Sequence, residues 1–195
     1  MSTSVYIRRF IYSLNHGQVF TTRDVLQFGS RKAVDCALKR LVGKGQIERL
    51  ASGMFRLYDE KNAPLSPLEI AEIKAKAYGK KLTTHGNDVA VQNKLALPQA
   101  NSNTITFWVD GASSSFKYGN FKIVFQSTNK RKMRLIKKGG AGLSLAALWQ
   151  IGKAKVTRNE IMRSLPTKAH EREQLKKALK DVPQWLSEFY LKKPY

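Results

Sequence analysis

Acidic side chains are scarce in this chain: 14 Asp and Glu face 35 Lys and Arg, a formal charge of +21 over 195 residues. Between Asp110 and Glu160 there is no acid at all, although the interval holds eleven basic residues. An ordinary surface intersperses both signs. The imbalance therefore implies a polyanionic partner, nucleic acid first, with an acidic protein or an anionic membrane second. Cysteine is almost missing. Its single instance, Cys36, excludes an internal disulfide and a Cys-x-x-Cys metal knuckle, and fits a reducing cytoplasm. No apolar run approaches the ~20 residues that cross a bilayer, so no membrane partner is expected. Met1-Ser2-Thr3-Ser4-Val5 lacks a charged region leading into an apolar one, and no secretory signal is expected. What is present is globular: 42% apolar residues and 10% aromatics describe a chain that folds and wears its charge outside.

The charge is unevenly spread. Residues 1–60 hold ten basic and five acidic side chains, net +5, and residues 61–195 hold 25 and nine, net +16. A polar stretch with two prolines, Asp59 to Pro67, reads as a linker between two domains, 1–60 and 61–195. In the first, apolar residues at Val5, Ile7, Phe10, Ile11 and Leu14 predict a helix that ends at His16-Gly17. Thr22 caps a second helix, Arg23 to Phe28, with Asp24 in its first turn. After Gly29, Ser30 caps a third that runs to about Val42 and buries Ala33, Val34, Ala37, Leu38 and Leu41. Gln46–Leu50 and Met54–Tyr58 alternate apolar and polar around Ala51-Ser52-Gly53, the pattern of a hairpin. Helix, helix, turn, helix and hairpin in this order describe a winged helix-turn-helix, whose third helix enters a major groove of double-stranded DNA.

The exposed face of that third helix carries Arg31, Lys32, Asp35 and Lys39. Two cations in a first turn oppose the helix dipole, so their placement favours phosphate or base contact over helix stability. Arg49, Ser52 and Arg56 on the hairpin, and Thr21, Thr22, Arg23 and Ser30 at the helix starts, complete the candidate DNA-binding set. Simple capping is the alternative role for the hydroxyls. Cys36 reads as a small inert side chain beside this face.

Taken together, Gly17-Gln18-Val19-Phe20-Thr21, Asp24, Gly29-Ser30-Arg31, Val34-Asp35-Cys36-Ala37-Leu38-Lys39-Arg40-Leu41, Gly45-Gln46-Ile47-Glu48-Arg49-Leu50 and Gly53-Met54-Phe55 resemble the N-terminal winged helix of AbiEi-type antitoxins. These proteins belong to bacterial abortive-infection toxin–antitoxin systems, a form of phage defence. The resemblance continues through Gly86 to Pro98, Thr106-Phe107-Trp108-Val109-Asp110-Gly111 and Ala147-Leu148-Trp149-Gln150-Ile151-Gly152, to about residue 155. Ser113-Ser114-Ser115 departs from it, since relatives often carry a basic residue there. The resemblance implies a cytoplasmic, nucleoid-associated transcriptional repressor. It would bind inverted repeats in its own promoter, as a dimer or cooperatively, and counteract a cognate nucleotidyltransferase toxin. A general basic DNA- or RNA-binding protein is the alternative.

The second domain reads as α+β, so the whole chain is an α+β protein with a winged helix-turn-helix followed by a mixed α/β part. A helix from Pro67 to Tyr78, a strand Lys81–Thr84, a helix Asn87–Leu95 and a strand Thr104–Val109 come first. Phe116–Tyr118 and Phe121–Gln126 follow as a hairpin across Gly119-Asn120. The hairpin interleaves aromatics with lysines, the pattern of sheet core or of a base-stacking platform. Lys117, Lys122, Lys130, Arg131, Lys132, Arg134, Lys137 and Lys138 are candidates for polyanion or toxin contact. Lys137 to Gly142 reads as a glycine-rich loop before an apolar helix, Leu143 to Ile151, without the Gly-Lys-Ser/Thr ending of a P-loop. Helices Arg158–Ser164, Lys168–Asp181 and Pro183–Leu191 close the chain. Leu175, Leu179, Val182, Trp185, Leu186 and Phe189 mark their packed side, either core or a dimer surface. His16, His85 and His170 stand far apart and in no metal-ligand spacing. Asp88 and Asp110 have no carboxylate neighbour in sequence, and Gly29-Ser30 leads into Arg31-Lys32 rather than the paired aspartates of the expected toxin. No enzyme activity, metal or cofactor is expected.

Overall fold

In the first helix, α1 (Thr3–Tyr12), the i, i+4 spacing of Ile7 and Ile11 turns both side chains fully inward. A computed structural model describes residues 2–84, 103–166 and 168–191; the expected helix Asn87–Leu95 lies outside them. The class is α+β, helices with two sheets. Two compact units are present: Met1–Lys81, Asn103–Ile105 and Ser114–Val124 form the first, and the described remainder forms the second.

After α1 come β1 (Val19–Thr21), α2 (Thr22–Val25), a 3-10 turn (Leu26–Phe28), α3 (Arg31–Gly43), β2 (Ile47–Ala51) and β3 (Met54–Leu57). The strands form an antiparallel sheet in the order β1-β3-β2, with Phe20 opposite Phe55 and Ile47 opposite Leu57. Ile7, Ile11, Phe20, Val25, Val34, Ala37, Leu38, Leu41, Ile47 and Phe55 make one core cluster. Ala33, expected in the buried stripe, is only half-buried. The hairpin turn narrows to Ser52-Gly53, with Gly53 at φ +72° and Ala51 still paired to Met54. Thr21, not Thr22, caps the second helix. The Thr22 N–H is taken by the Gly53 carbonyl at 3.0 Å, while Asp24 accepts from the Thr21 N–H at 2.6 Å and hydroxyl at 2.9 Å.

The stretch Asp59 to Pro67 is tied down rather than loose. Asn62 donates to the Leu57 carbonyl at 2.9 Å, Arg56 to Ala63 at 2.8 Å and the Tyr118 hydroxyl to Leu65 at 2.7 Å, while His16 pairs with Asp59. It leads into α4 (Pro67–Ala77), where Ser66 caps by accepting from the Glu69 N–H and Glu69 accepts in return. That reciprocal bond holds the Glu69 carboxyl below its ordinary range.

The second sheet runs in the order β4 (Leu82–Thr84), β5 (Thr104–Val109), β7 (Phe121–Ser127), β6 (Ser114–Tyr118). Ile123 and Phe125 are buried as alternation requires, whereas Phe121 at the strand start is exposed.

The second unit gathers α5 (Lys130–Lys137), α6 (Gly140–Ile151), α7 (Arg158–Arg163), α8 (Ala169–Ala178), a 3-10 turn (Leu179–Asp181) and α9 (Gln184–Leu191). Their core includes Trp108, Leu135, Leu145, Leu148, Ile161, Leu175 and Leu186. Trp185 is half-buried and Phe189 exposed, so the packed side is narrower than the sequence suggests. The basic run 130–137 is itself a helix, capped by Asn129, which accepts from the Lys132 N–H at 2.8 Å. Its glycines are not a phosphate-binding loop. Gly139, at φ +72°, makes the turn, and Gly140, Ala141 and Gly142 are already helical. Gly142 is there for contact: a Cβ on it would lie 1.9 Å from the Leu135 carbonyl oxygen.

Candidate nucleic-acid interface

Ser30 stops the chain in extended conformation and accepts from the Ala33 N–H at 3.3 Å, which fixes where α3 begins. With Val34, Ala37, Leu38 and Leu41 turned to the core, Arg31, Lys32, Asp35, Cys36, Lys39 and Arg40 are left exposed on the other side. Arg31 donates from Nε to Asp35 at 2.9 Å, one turn on. The contact holds the guanidinium along the helix surface and leaves its terminal nitrogens free of that bond. Lys32 and Lys39 stand two turns apart on the same strip, and neither enters an ion pair among the described residues. The result is a cationic edge with one acid that orients an arginine.

The hairpin contributes less than its sequence suggests. Arg49 and Ser52 are exposed. Arg56, expected beside them, is buried: its Nε meets Glu48 at 2.5 Å and its Nη1 the Ala63 carbonyl at 2.8 Å. Alternation places Arg56 on the sheet face opposite Phe55, and that face is covered by the 59–67 stretch. Thr21 and Thr22 are buried as well. Arg23 is exposed but donates to the Ala77 carbonyl at 2.9 Å and lies 5.0 Å over the Tyr78 ring.

Lys74 on α4 carries a role that sequence reading did not assign. Half-buried, it donates to the Ser52 carbonyl at 2.6 Å and sits 4.3 Å from the centre of the Phe116 ring. Burial, and secondarily the charge of Arg49, lowers its pKa. No sequence signal links Lys74 to Ser52, since helical periodicity says nothing about which turn its tip will meet.

The acid-free interval splits in the same way. Lys117 and Lys122 in the first unit, and Lys130 and Lys137 in the second, are exposed. Arg131 donates to the Asp181 and Val182 carbonyls at 3.1 and 2.7 Å and lies over Trp149. Lys132 donates to Gln150 at 2.9 Å between the Trp108 and Trp149 rings, 5.0 and 5.2 Å from their centres, and burial lowers its pKa. Arg134 and Lys138 converge on Asp181 at 3.0 and 2.6 Å. Four of these eight cations are thus matched by carbonyls, indoles and one carboxylate supplied from elsewhere in the chain.

Asp181 is mostly buried, and the Lys138 hydrogen bond, then that of Arg134, outweighs burial and holds its carboxyl below the ordinary range. A depressed carboxylate adds stability above its unfolded pKa and loses it as pH falls through the folded one. Asp181→Asn is expected to cost about 1–2 kcal/mol at neutral pH. The difference from wild type should shrink on acidification below the ordinary carboxylate range. Urea melts at several pH values check this, and a deficit independent of pH would contradict it.

No group of three or more His, Cys, Asp or Glu converges as a metal site among the described residues; His85 and Asp88 lie outside them. No described helix is long and apolar enough to cross a membrane. No curated protein and no solved structure matches the chain. A family model does match, over residues 6–176, and on that extent the chain belongs to the family described as "Family of unknown function (DUF6088)".

Proposed function

We propose that residues 1–60 form a winged helix-turn-helix that binds double-stranded DNA, and that the chain is an antitoxin repressing its own operon. The observation that carries the DNA reading is the α3 edge: Arg31, Lys32 and Lys39 exposed along one side of a helix whose other side is buried. A recognition helix needs this division, a packed stripe that fixes its attitude and an opposite strip that meets base edges and phosphates. Antitoxin action against a nucleotidyltransferase toxin, and binding to inverted repeats, rest on the resemblance to AbiEi-type antitoxins. The excess of charge in residues 61–195 favours a second reading, a general DNA- or RNA-binding protein.

Two measurements on the full chain test the proposal. In an electrophoretic shift assay, a duplex of the protein's own promoter should bind at least about 1,000-fold more tightly than a shuffled duplex. Equal binding would leave the general reading. Coexpression with the product of the adjacent reading frame, where that is a nucleotidyltransferase, should restore growth. Persistent toxicity would remove the antitoxin role while leaving the repressor role intact.

A further inference from the structure

The first unit is built from separate stretches of chain, and Ser114–Val124 is the most distant in sequence. Within it β6 lies alongside β2, the edge strand of the first sheet. Two contacts fasten it there. The Tyr118 hydroxyl reaches the Leu65 carbonyl at 2.7 Å, and the Phe116 ring lies under Lys74, whose ammonium also holds the Ser52 carbonyl of the hairpin turn. With Phe116 buried and Tyr118 held inward, alternation sends Lys117 outward. The two-residue turn Gly119-Asn120, with Gly119 at φ +52°, sets Lys117 opposite Lys122. Both are exposed, while Phe116 and Ile123, the next pair, are buried.

Like charges directly opposite on neighbouring strands repel and destabilise the pair. Arg49 on β2, the strand beside β6, adds another exposed positive charge, and its charge acts on Lys74 at the hairpin turn. Among the described residues no ion pair relieves Arg49, Lys117 or Lys122. Exposed, unneutralised cations on neighbouring strands, beside a hairpin turn that Lys74 holds from α4, suit the regular phosphates of a duplex.

We propose that the 114–124 hairpin is a second wing, in which Lys117 and Lys122, together with Arg49, hold the phosphate backbone of duplex DNA flanking the stretch read by α3. This inference rests on the DNA reading of α3 given above. It assigns DNA contact to a segment far outside residues 1–60, and it gives that contact the character of affinity rather than sequence choice.

The test is a fluorescence anisotropy titration of the full chain on its own promoter duplex between about 50 and 200 mM salt. For Lys117→Ala/Lys122→Ala the slope of log K against log salt should become shallower by about 1.8, two contacts at about 0.9 each. The preference for promoter over shuffled duplex should be unchanged, and the melting temperature should be no lower than wild type. Lys117→Gln/Lys122→Gln, which keeps polar stems, should give the same slope if the alanine pair melts early. An unchanged slope, in a protein whose promoter preference is still lost on Arg31→Ala, overturns the second wing alone. Weakening confined to single-stranded RNA of the same sequence also overturns it. If wild type has no promoter preference and Arg31→Ala changes nothing, the α3 reading fails and takes the second wing with it.

Discussion

Gly142→Ala is expected to destabilise the protein by about 2–3 kcal/mol, the upper part of the range for forcing one extra carbon into a packed site. The added Cβ would stand 1.9 Å from the Leu135 carbonyl oxygen and 3.1 Å from the Lys138 side chain. A carbonyl oxygen cannot rotate away as a flexible side chain can, so α5 and α6 must separate along their contact. The core that surrounds them, Leu135, Leu145, Ala146 and Leu148, is fully buried and has to repack with them. Alanine is the better helix former by up to about 1 kcal/mol, which offsets part of the loss. In a chain of this length the melting temperature should fall by roughly 4–12 °C. Gly140→Ala is the matched control: it lies in the same helix with nothing within 4 Å of the added carbon, and should be neutral or slightly stabilising. Differential scanning calorimetry of the two variants decides the matter, and a Gly142→Ala protein as stable as wild type would refute the close helix contact.

The largest expected effect on binding belongs to the α3 edge. Arg31→Ala/Lys32→Ala/Lys39→Ala is expected to weaken promoter binding by about 100-fold or more, since a base-reading arginine contributes about 1–3 kcal/mol of discrimination and each phosphate lysine adds to affinity. The components separate experimentally. Arg31→Ala alone should reduce the ratio of promoter to shuffled-duplex affinity. Lys32→Ala and Lys39→Ala should each flatten the salt slope by about 0.9 and leave that ratio alone. Asp35→Ala removes the partner that aligns Arg31 and should lower the ratio while raising overall affinity for any duplex. All these positions are exposed, so the melting temperature should be nearly unchanged. If the triple variant binds promoter as tightly as wild type, α3 is not the recognition helix.

Much of this edge is legible in the sequence because a helix of this length repeats its apolar positions often enough to fix a phase. Val34, Ala37, Leu38 and Leu41 set the buried side, and Ser30 sets the start. The hairpin is legible as a pair of alternating strands, but alternation tells only which residues share a face and not whether that face is covered. Arg56 is buried because Ala63, from the following stretch, closes over it. Glycines misled for a related reason. Gly140 and Gly142 carry the local signature of a loop, and the reason for Gly142 lies in Leu135, on the preceding helix. Asp181 neutralises two cations more than forty residues earlier, a pairing no local pattern displays. Short-range periodicity was therefore sufficient where apolar positions recur, as in the helix Arg31–Gly43, and insufficient for the basic helix Lys130–Lys137 and wherever a charge or a glycine answers to a distant backbone.

The discontinuity of the first unit also has a consequence in time. A ribosome that has released only Lys81 has delivered α1 to α4, yet Lys74 has no aromatic ring to rest on and the Leu65 carbonyl has no phenol to accept from. Both partners are in β6, whose last residue is Tyr118. At about 5–20 residues per second, translation needs several seconds more to supply them. The first unit is thus completed only after most of the second sheet has been synthesised, in chains already well into their second half.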